Sequence, residues 1–125
     1  MPRKAYDQLH LAVVVRDAYD AMTVQDLDGR ILAWNRGAVR MYGWSEAEAL
    51  TMNGRDRIPE SLRENALAKL IELGQANILE PYRSQHITKK GAVVKVSIIS
   101  GALLDVTGKT YAIATTERVY EKGTP

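Results

Sequence analysis

The stretch "ILAWNRGAVRMYGWSEAEAL", residues 31–50, carries the strongest local signals in the chain. It begins as an apolar, strand-like run that ends at Asn35, and a short helical pattern follows. That pattern stops at Gly43, because glycine commonly follows the last residue of a helix. Ser45 and Glu48 then form a capping box, which marks the first turn of another helix. The stretch therefore predicts a strand followed by two short helices.

The same stretch holds three large aromatic side chains, Trp34, Tyr42 and Trp44, in a chain that has no phenylalanine. Such side chains either fill a core or line a ligand pocket. We expect Trp34 to lie in the core, and we take Tyr42 and Trp44 as candidate ligand contacts.

Upstream, apolar spacing favours a helix over residues 5–20, although its valine run also suits a strand. Residues 21–35 predict a hairpin, because Asp28-Gly29 is a strong turn signal between two alternating runs.

Downstream, residues 51–59 are loop-like, and a helical repeat over residues 60–73 predicts a long helix that ends before Gly74. Period-two alternation after it predicts three strands, separated by turns at residues 89–91 and 107–108. Strands on both sides of a helical segment indicate an α+β fold with an antiparallel sheet.

The composition is that of one soluble domain: 125 residues, 46% hydrophobic and 26% charged, with a formal net charge of +2. The basic residues are spread out among acids, so we expect no nucleic-acid partner. The absence of cysteine excludes disulfides, thiolate metal sites and cysteinyl adducts, and it suits a reducing compartment. No run is long enough to span a membrane, and we expect a cytoplasmic location.

Catalytic patterns are scarce. His10 and His86 lack metal-ligand spacing, and none of the common nucleotide-binding, hydrolase or zinc motifs occurs. Asp56, between Arg55 and Arg57, is expected in a solvated loop. We therefore expect no catalysis by this domain alone.

The order of these motifs resembles the PAS family over roughly residues 15–118. The resemblance is carried by the Asp-Gly hairpin, by Asn35, by the run Tyr42-Gly43-Trp44-Ser45 and by the Lys-x-Gly and Asp-x-x-Gly turns before the last two strands. It implies a five-stranded antiparallel sheet of order 2-1-5-4-3 with helices packed on one face. In place of the family's usual Asp-Ile-Thr end of the last strand, this chain has Arg118-Val119-Tyr120.

The resemblance also implies functions. The first is a sensory, signal-transduction domain that binds a small ligand or cofactor and relays its state to an effector domain, as in a two-component histidine kinase, or to a second PAS subunit. Alternatives are a cofactor-free interaction and dimerisation module and, less favoured, a small α+β enzyme. We expect a homodimer that uses the helix within residues 1–20, a PAS domain over 21–120 and a tail at 121–125.

The cofactor stays unknown at this stage. A flavin-cysteinyl adduct is excluded, and haem is disfavoured because residues 60–74 contain no histidine. Non-covalent flavin remains open, with Trp34 or Trp44 stacking on its ring and Asn35 bonding to it. The candidate lining residues lie between the long helix and the inner face of the sheet: Asn35, Met41, Tyr42, Trp44, Ile58, Leu67, Leu70, Tyr82, Ile98, Ser100, Tyr111, Ile113 and Thr115.

Overall fold

Five antiparallel strands form a single sheet in the computed structural model, which describes residues 19–76 and 81–120. The spatial order of the strands is β2-β1-β5-β4-β3, as the resemblance implied. Their bounds are β1 Ala21–Asp26, β2 Ile31–Trp34, β3 Tyr82–Ile87, β4 Val93–Leu104 and β5 Thr110–Val119.

The segment between β2 and β3 is helical and packs on one face of the sheet. Within the described residues, no helix is long and apolar enough to cross a membrane. The helices are α1 Arg36–Tyr42, α2 Glu46–Ala49 and α3 Arg63–Ala76, with 3₁₀ turns at Gly54–Arg57 and Glu60–Leu62.

The signals in residues 31–50 are confirmed. Asn35 caps α1, since its side chain accepts a hydrogen bond from the Ala38 amide. Gly43 ends α1 with a φ of 90°, in the left-handed region that favours glycine. Ser45 and Glu48 form the predicted capping box at the start of α2.

Two predicted boundaries are wrong. The long helix begins as a 3₁₀ turn, becomes α-helical at Arg63 and continues through Gly74 to Ala76, because glycine also adopts the right-handed helical conformation at a modest cost. Residues 51–59 are not all loop, since Asn53 caps the turn at Gly54–Arg57. Residues 1–18 and 121–125 lie outside the described residues, and Tyr19 and Asp20 form a bend.

The core lies between the sheet and α1. Trp34, Tyr42, Val96 and Ile98 are each at most 4% exposed and pack in one cluster. A second, smaller cluster joins Leu73 of α3 to the sheet. The core under α3 is therefore thinner than the core under α1, and this difference positions the site described below.

Asn35 ties the first strand to α1. Its Oδ1 accepts from the Met22 amide at 2.9 Å, and its Nδ2 donates to the Asp20 carbonyl at 3.0 Å. The neighbouring Gly37 leaves room for that carbonyl, because a Cβ atom at position 37 would lie 2.1 Å from the Asp20 oxygen.

Gly37→Ala is expected to destabilise the domain by about 1–3 kcal/mol, because the added methyl group overlaps backbone that cannot rotate away. Gly101→Ala is the matched control, since a Cβ atom there meets nothing within 4 Å, and a gain of about 0.5–1 kcal/mol is expected in a strand interior. Urea unfolding of both variants measures the difference. Equal stability of the two would contradict the close approach at Gly37.

Candidate functional site

A cavity of about 310 Å³ lies between α3 and the inner face of the sheet, and we call it the central cavity. One wall is the α3 segment that carries Ala66, Leu67 and Leu70, and the opposite wall comes from β4 and β5. Leu27 and Leu67 both line it and are 54% and 58% exposed. Because these apolar side chains are exposed, the cavity has an apolar lip between the β1–β2 turn and α3.

Eight of the thirteen candidate lining residues surround this cavity. Strand alternation places the five strand residues among them on the inner face, where Ser100 lies opposite Thr115 in the β4–β5 pairing. The eight are Ile58, Leu67, Leu70, Tyr82, Ile98, Ser100, Ile113 and Thr115. Whether they contact a ligand stays a prediction.

Asn35, Trp44 and Met41 do not line the central cavity, which corrects their placement. The Asn35 side chain is occupied by the cap of α1 and by its bonds to the first strand. Trp44 packs against the core and its carbonyl accepts from Trp34 Nε1 at 3.0 Å. Met41 packs against the same core.

Tyr42 and Tyr111 are also corrected. Tyr42 is 1% exposed and belongs to the core. Tyr111 is 53% exposed, because the β4–β5 register shifts between Leu103 and Leu104 and leaves Tyr111 opposite the irregularity.

The flavin contacts named from the sequence do not fit this cavity. Neither Trp34 nor Trp44 lines it, and the Arg57 guanidinium lies 5.2 Å from the centre of the Trp34 ring. Stacking of a flavin on these tryptophans is therefore not supported.

Four polar side chains from four different elements meet at the deep end of the cavity: Tyr42 of α1, Arg57 of the 3₁₀ turn, His86 of β3 and Glu117 of β5. We call them the buried ionic cluster. Arg57 and Glu117 are 4% and 1% exposed, and their closest N–O distance is 3.2 Å. His86 Nδ1 lies 3.3 Å from the Glu117 carboxylate.

The Glu117 carboxylate is well supplied with donors. Arg57 donates from Nη1 and Nη2 to Oε1 and Oε2, at 3.2 and 3.4 Å. The Tyr42 hydroxyl donates to Oε1 at 2.5 Å. Thr115 donates to Oε2 at 2.7 Å and lies 2.7 Å from the Thr23 hydroxyl. These bonds satisfy a buried charge that would otherwise be costly.

One buried atom of the cluster lacks a hydrogen bond. Arg57 Nε has no partner within the described residues. The guanidinium carbon lies 4.9 Å from the Tyr42 ring centre and 5.2 Å from that of Trp34, so cation–π attraction offsets part of this loss.

The cluster also shifts the ionisation of its members. Burial alone would raise the pKa of Glu117, but the positive charge of Arg57 and the contact with His86 hold that pKa well below its usual range. Burial, together with the Glu117 charge, raises the pKa of the Tyr42 phenol. At neutral pH the cavity therefore has a fixed carboxylate–guanidinium pair at its deep end.

The sequence interpretation missed this cluster. Arg57 had been expected in a solvated loop, yet it is buried, and this prediction is wrong. Ile113 and Thr115 alternate toward the inner face of the sheet, and the next residue in this pattern is Glu117. A carboxylate buried on that face requires a cationic partner. That signal was present, whereas nothing in the loop sequence singled out Arg57.

Among residues 19–76 and 81–120, no three histidine, aspartate or glutamate side chains group to hold a metal ion. The remaining lining residues, which the sequence did not indicate, are Gln25, Leu27, Asp28, Gly29, Asn53, Gly54, Arg55, Arg57, Arg63, Ala66, His86 and Glu117.

Glu117→Gln is expected to destabilise the domain by about 3–5 kcal/mol at pH 7, because it leaves the Arg57 charge buried without its counter-ion. The folded-state pKa of Glu117 is depressed, so its stabilisation is complete above about pH 5 and is lost as the pH falls through that folded-state pKa. Urea unfolding between pH 7 and pH 3 should therefore show a weaker acid dependence in the variant.

Glu48→Gln is the control for this prediction. Glu48 is exposed, and its bond to Lys89 also lowers its pKa. We expect the Glu48→Gln variant to have nearly the same free energy of unfolding as the wild type at pH 7. If Glu117→Gln behaved like Glu48→Gln, the buried pair would not stabilise the fold.

The solved structures most relevant here share the fold at low identity. The PAS domain of a Colwellia psychrerythraea protein is 17% identical with a TM-score of 0.86, over 91% of this chain and 97% of that one. A domain of a Geobacter sulfurreducens sensory box sensor histidine kinase/response regulator is 17% identical with a TM-score of 0.77, over 93% and 96%.

An RNA-binding light-oxygen-voltage receptor is 17% identical with a TM-score of 0.80 over 95% of this chain, which spans 34% of that receptor. Curated protein sequences gave no match. The family model described as the PAS fold matches residues 9–118. Together with the strand order and the helices on one face of the sheet, this match shows that the chain belongs to the PAS family.

Proposed function

We propose that this PAS domain is a sensory module that binds a small molecule in the central cavity and relays its occupancy to an effector domain or a second subunit. The observation that carries the proposal is the cavity itself, with its apolar lip and its buried ionic cluster. A volume of about 310 Å³ is at the small end of the range for ligand pockets, about 300–1,000 Å³. Sensor histidine kinases among the structural neighbours support the signalling role.

The apolar lip favours a ligand over a permanently empty cavity. Leu27 and Leu67 line the cavity and leave more than half of their surface in water. A bound molecule with an apolar body would cover both side chains, and this burial would contribute to its affinity.

Ala66→Phe tests ligand binding, because Ala66 lines the cavity from α3 and a phenyl ring there occupies the ligand's space. Ala68→Phe is the matched control, since Ala68 is exposed on the same helix and lies outside the cavity. We expect native mass spectrometry and absorption spectra of freshly purified protein to show a bound small molecule in the wild type and in Ala68→Phe. Ala66→Phe should lose it.

A different outcome would favour the cofactor-free interaction module. If the wild type carries no small molecule and no compound in a metabolite panel raises its Tm, ligand binding is overturned. Binding that persists in Ala66→Phe would place the ligand outside the central cavity.

The relay that we propose runs through two consecutive residues of β5. Glu117 lines the cavity, and Arg118 forms a two-point ion pair with Asp20, with N–O distances of 2.8 and 3.2 Å. Successive side chains of a strand point to opposite faces. A shift of β5 at the cluster would therefore move the point at which the chain joins β1.

The same variant pair tests this relay without a known ligand. Filling the cavity in Ala66→Phe is expected to change amide hydrogen exchange at residues 19–22 and 117–120 by about threefold or more, since local opening there is tied to the cluster. The single variant Ala68→Phe should not show this change at residues 19–22. The double variant that combines Ala66→Phe with Arg118→Gln should not show it there either. An unchanged exchange rate in Ala66→Phe would contradict the relay.

A further inference from the structure

Gln25 is a polar side chain of the central cavity that no other part of the described chain uses. It lies on β1 directly opposite Ile113 of β5, so it shares the inner face with that cavity residue. It is half-buried, and no hydrogen bond joins its carboxamide to residues 19–76 or 81–120. Its N–H and C=O groups are therefore available to a molecule in the cavity.

Gly54 leaves the space that this carboxamide occupies. A Cβ atom at position 54 would lie 2.5 Å from Gln25 Oε1, so only glycine leaves room for the amide in this position. The Gly54 backbone is itself held, since its amide donates to the Gly29 carbonyl at 2.7 Å. Gly54 and Gly29 both line the cavity, and the amide of Gln25 therefore lies at the cavity wall.

The other carboxamide of the wall, that of Asn53, has partners within the protein. The Asn53 carboxamide accepts from the Arg55 amide at 3.1 Å and donates to the Asp28 carbonyl at 2.8 Å. The Thr115 hydroxyl, which also lines the cavity, donates to Glu117 Oε2 at 2.7 Å. Gln25 is thus the wall's uncommitted amide, and an amide that is half-removed from water gains free energy from a new partner.

The charges of the wall disfavour a charged group beside the deep end. Arg57 and Glu117 neutralise each other and are both buried. A ligand charge placed next to this pair would lose hydration without gaining a counter-ion. A ligand group placed beside the deep end should therefore be uncharged.

We propose that Gln25 selects the ligand of the central cavity by pairing with a hydrogen-bond donor and an adjacent acceptor on an uncharged, otherwise apolar molecule. A lactam, an imide or a primary amide presents such an edge, and the Gln25 carboxamide can donate to its carbonyl and accept from its N–H. This proposal rests on the proposed function, because it names the ligand class for the same cavity. Gln25 is a specificity residue in this proposal.

Two probes of nearly the same shape test the pairing: isoquinolin-1(2H)-one, which has a lactam N–H beside its carbonyl, and its N-methyl derivative, which lacks the donor. Titration calorimetry should show the wild type binding the lactam about tenfold more tightly than the N-methyl compound, as expected when neutral hydrogen bonds are lost. Gln25→Leu should reduce this preference to within about twofold. Gly54→Ala, which displaces the carboxamide, should do the same, whereas Gly101→Ala should keep it.

Each outcome separates this proposal from the proposed function. In one outcome, the wild type binds both probes with equal affinity and Ala66→Phe binds neither. This result would overturn the role of Gln25 and leave ligand binding in the cavity intact. Binding of neither probe would overturn the lactam-type ligand class, while a small molecule carried from the cells would still support the sensory function. A tenfold preference that persists in Gln25→Leu would assign the selection to another residue and also overturn the proposal.

Discussion

The ion pair between Arg57 and Glu117 is the contact on which the arrangement of the helical segment depends. It joins the last strand to the 3₁₀ turn at Gly54–Arg57, whose other end bonds to the β1–β2 turn through the Gly54 amide and the Asn53 side chain. Tyr42 and His86 bring in α1 and β3. Both charges are almost fully removed from water. Such a pair stabilises a fold weakly on balance, but it strongly disfavours arrangements in which either partner is missing. Its main effect is therefore to fix the Arg57 end of this turn against the sheet.

The same pair forms the deep end of the space beneath α3. Its side chains are occupied by hydrogen bonds within the cluster, and the apolar core around it is divided into two parts. The larger part surrounds Trp34 and Tyr42, and the smaller part, at Leu73 and Ile113, supports α3. The central cavity lies beside the smaller part, where a few aliphatic side chains hold the helix over the sheet.

How much of this could be predicted depends on how regular each segment is. Strand alternation located Ser100, Ile113 and Thr115 because a period of two fixes which side chains share a face. It failed at Tyr111, where an irregular pairing with β4 breaks the period. Boundary signals located the end of α1 and the start of α2, since Gly43 and Ser45 act through local backbone geometry and hydrogen bonds that the sequence specifies directly.

The parts that escaped prediction depend on contacts between distant residues. Arg57 lies 60 positions from Glu117 and belongs to an irregular turn, so no periodicity marks it as buried. The aromatic cluster was assigned partly to a ligand pocket, but Trp34 and Tyr42 instead flank the Arg57 guanidinium. An inward-facing Glu117 requires a cation that only the folded chain can identify.

The cavity and the first strand are connected through neighbouring residues of β5. Arg118 follows Glu117 on that strand and pairs with Asp20, just before β1. A single residue step therefore separates the cavity from the start of the first strand, and a structural change at the cavity does not need a long chain of contacts to reach it.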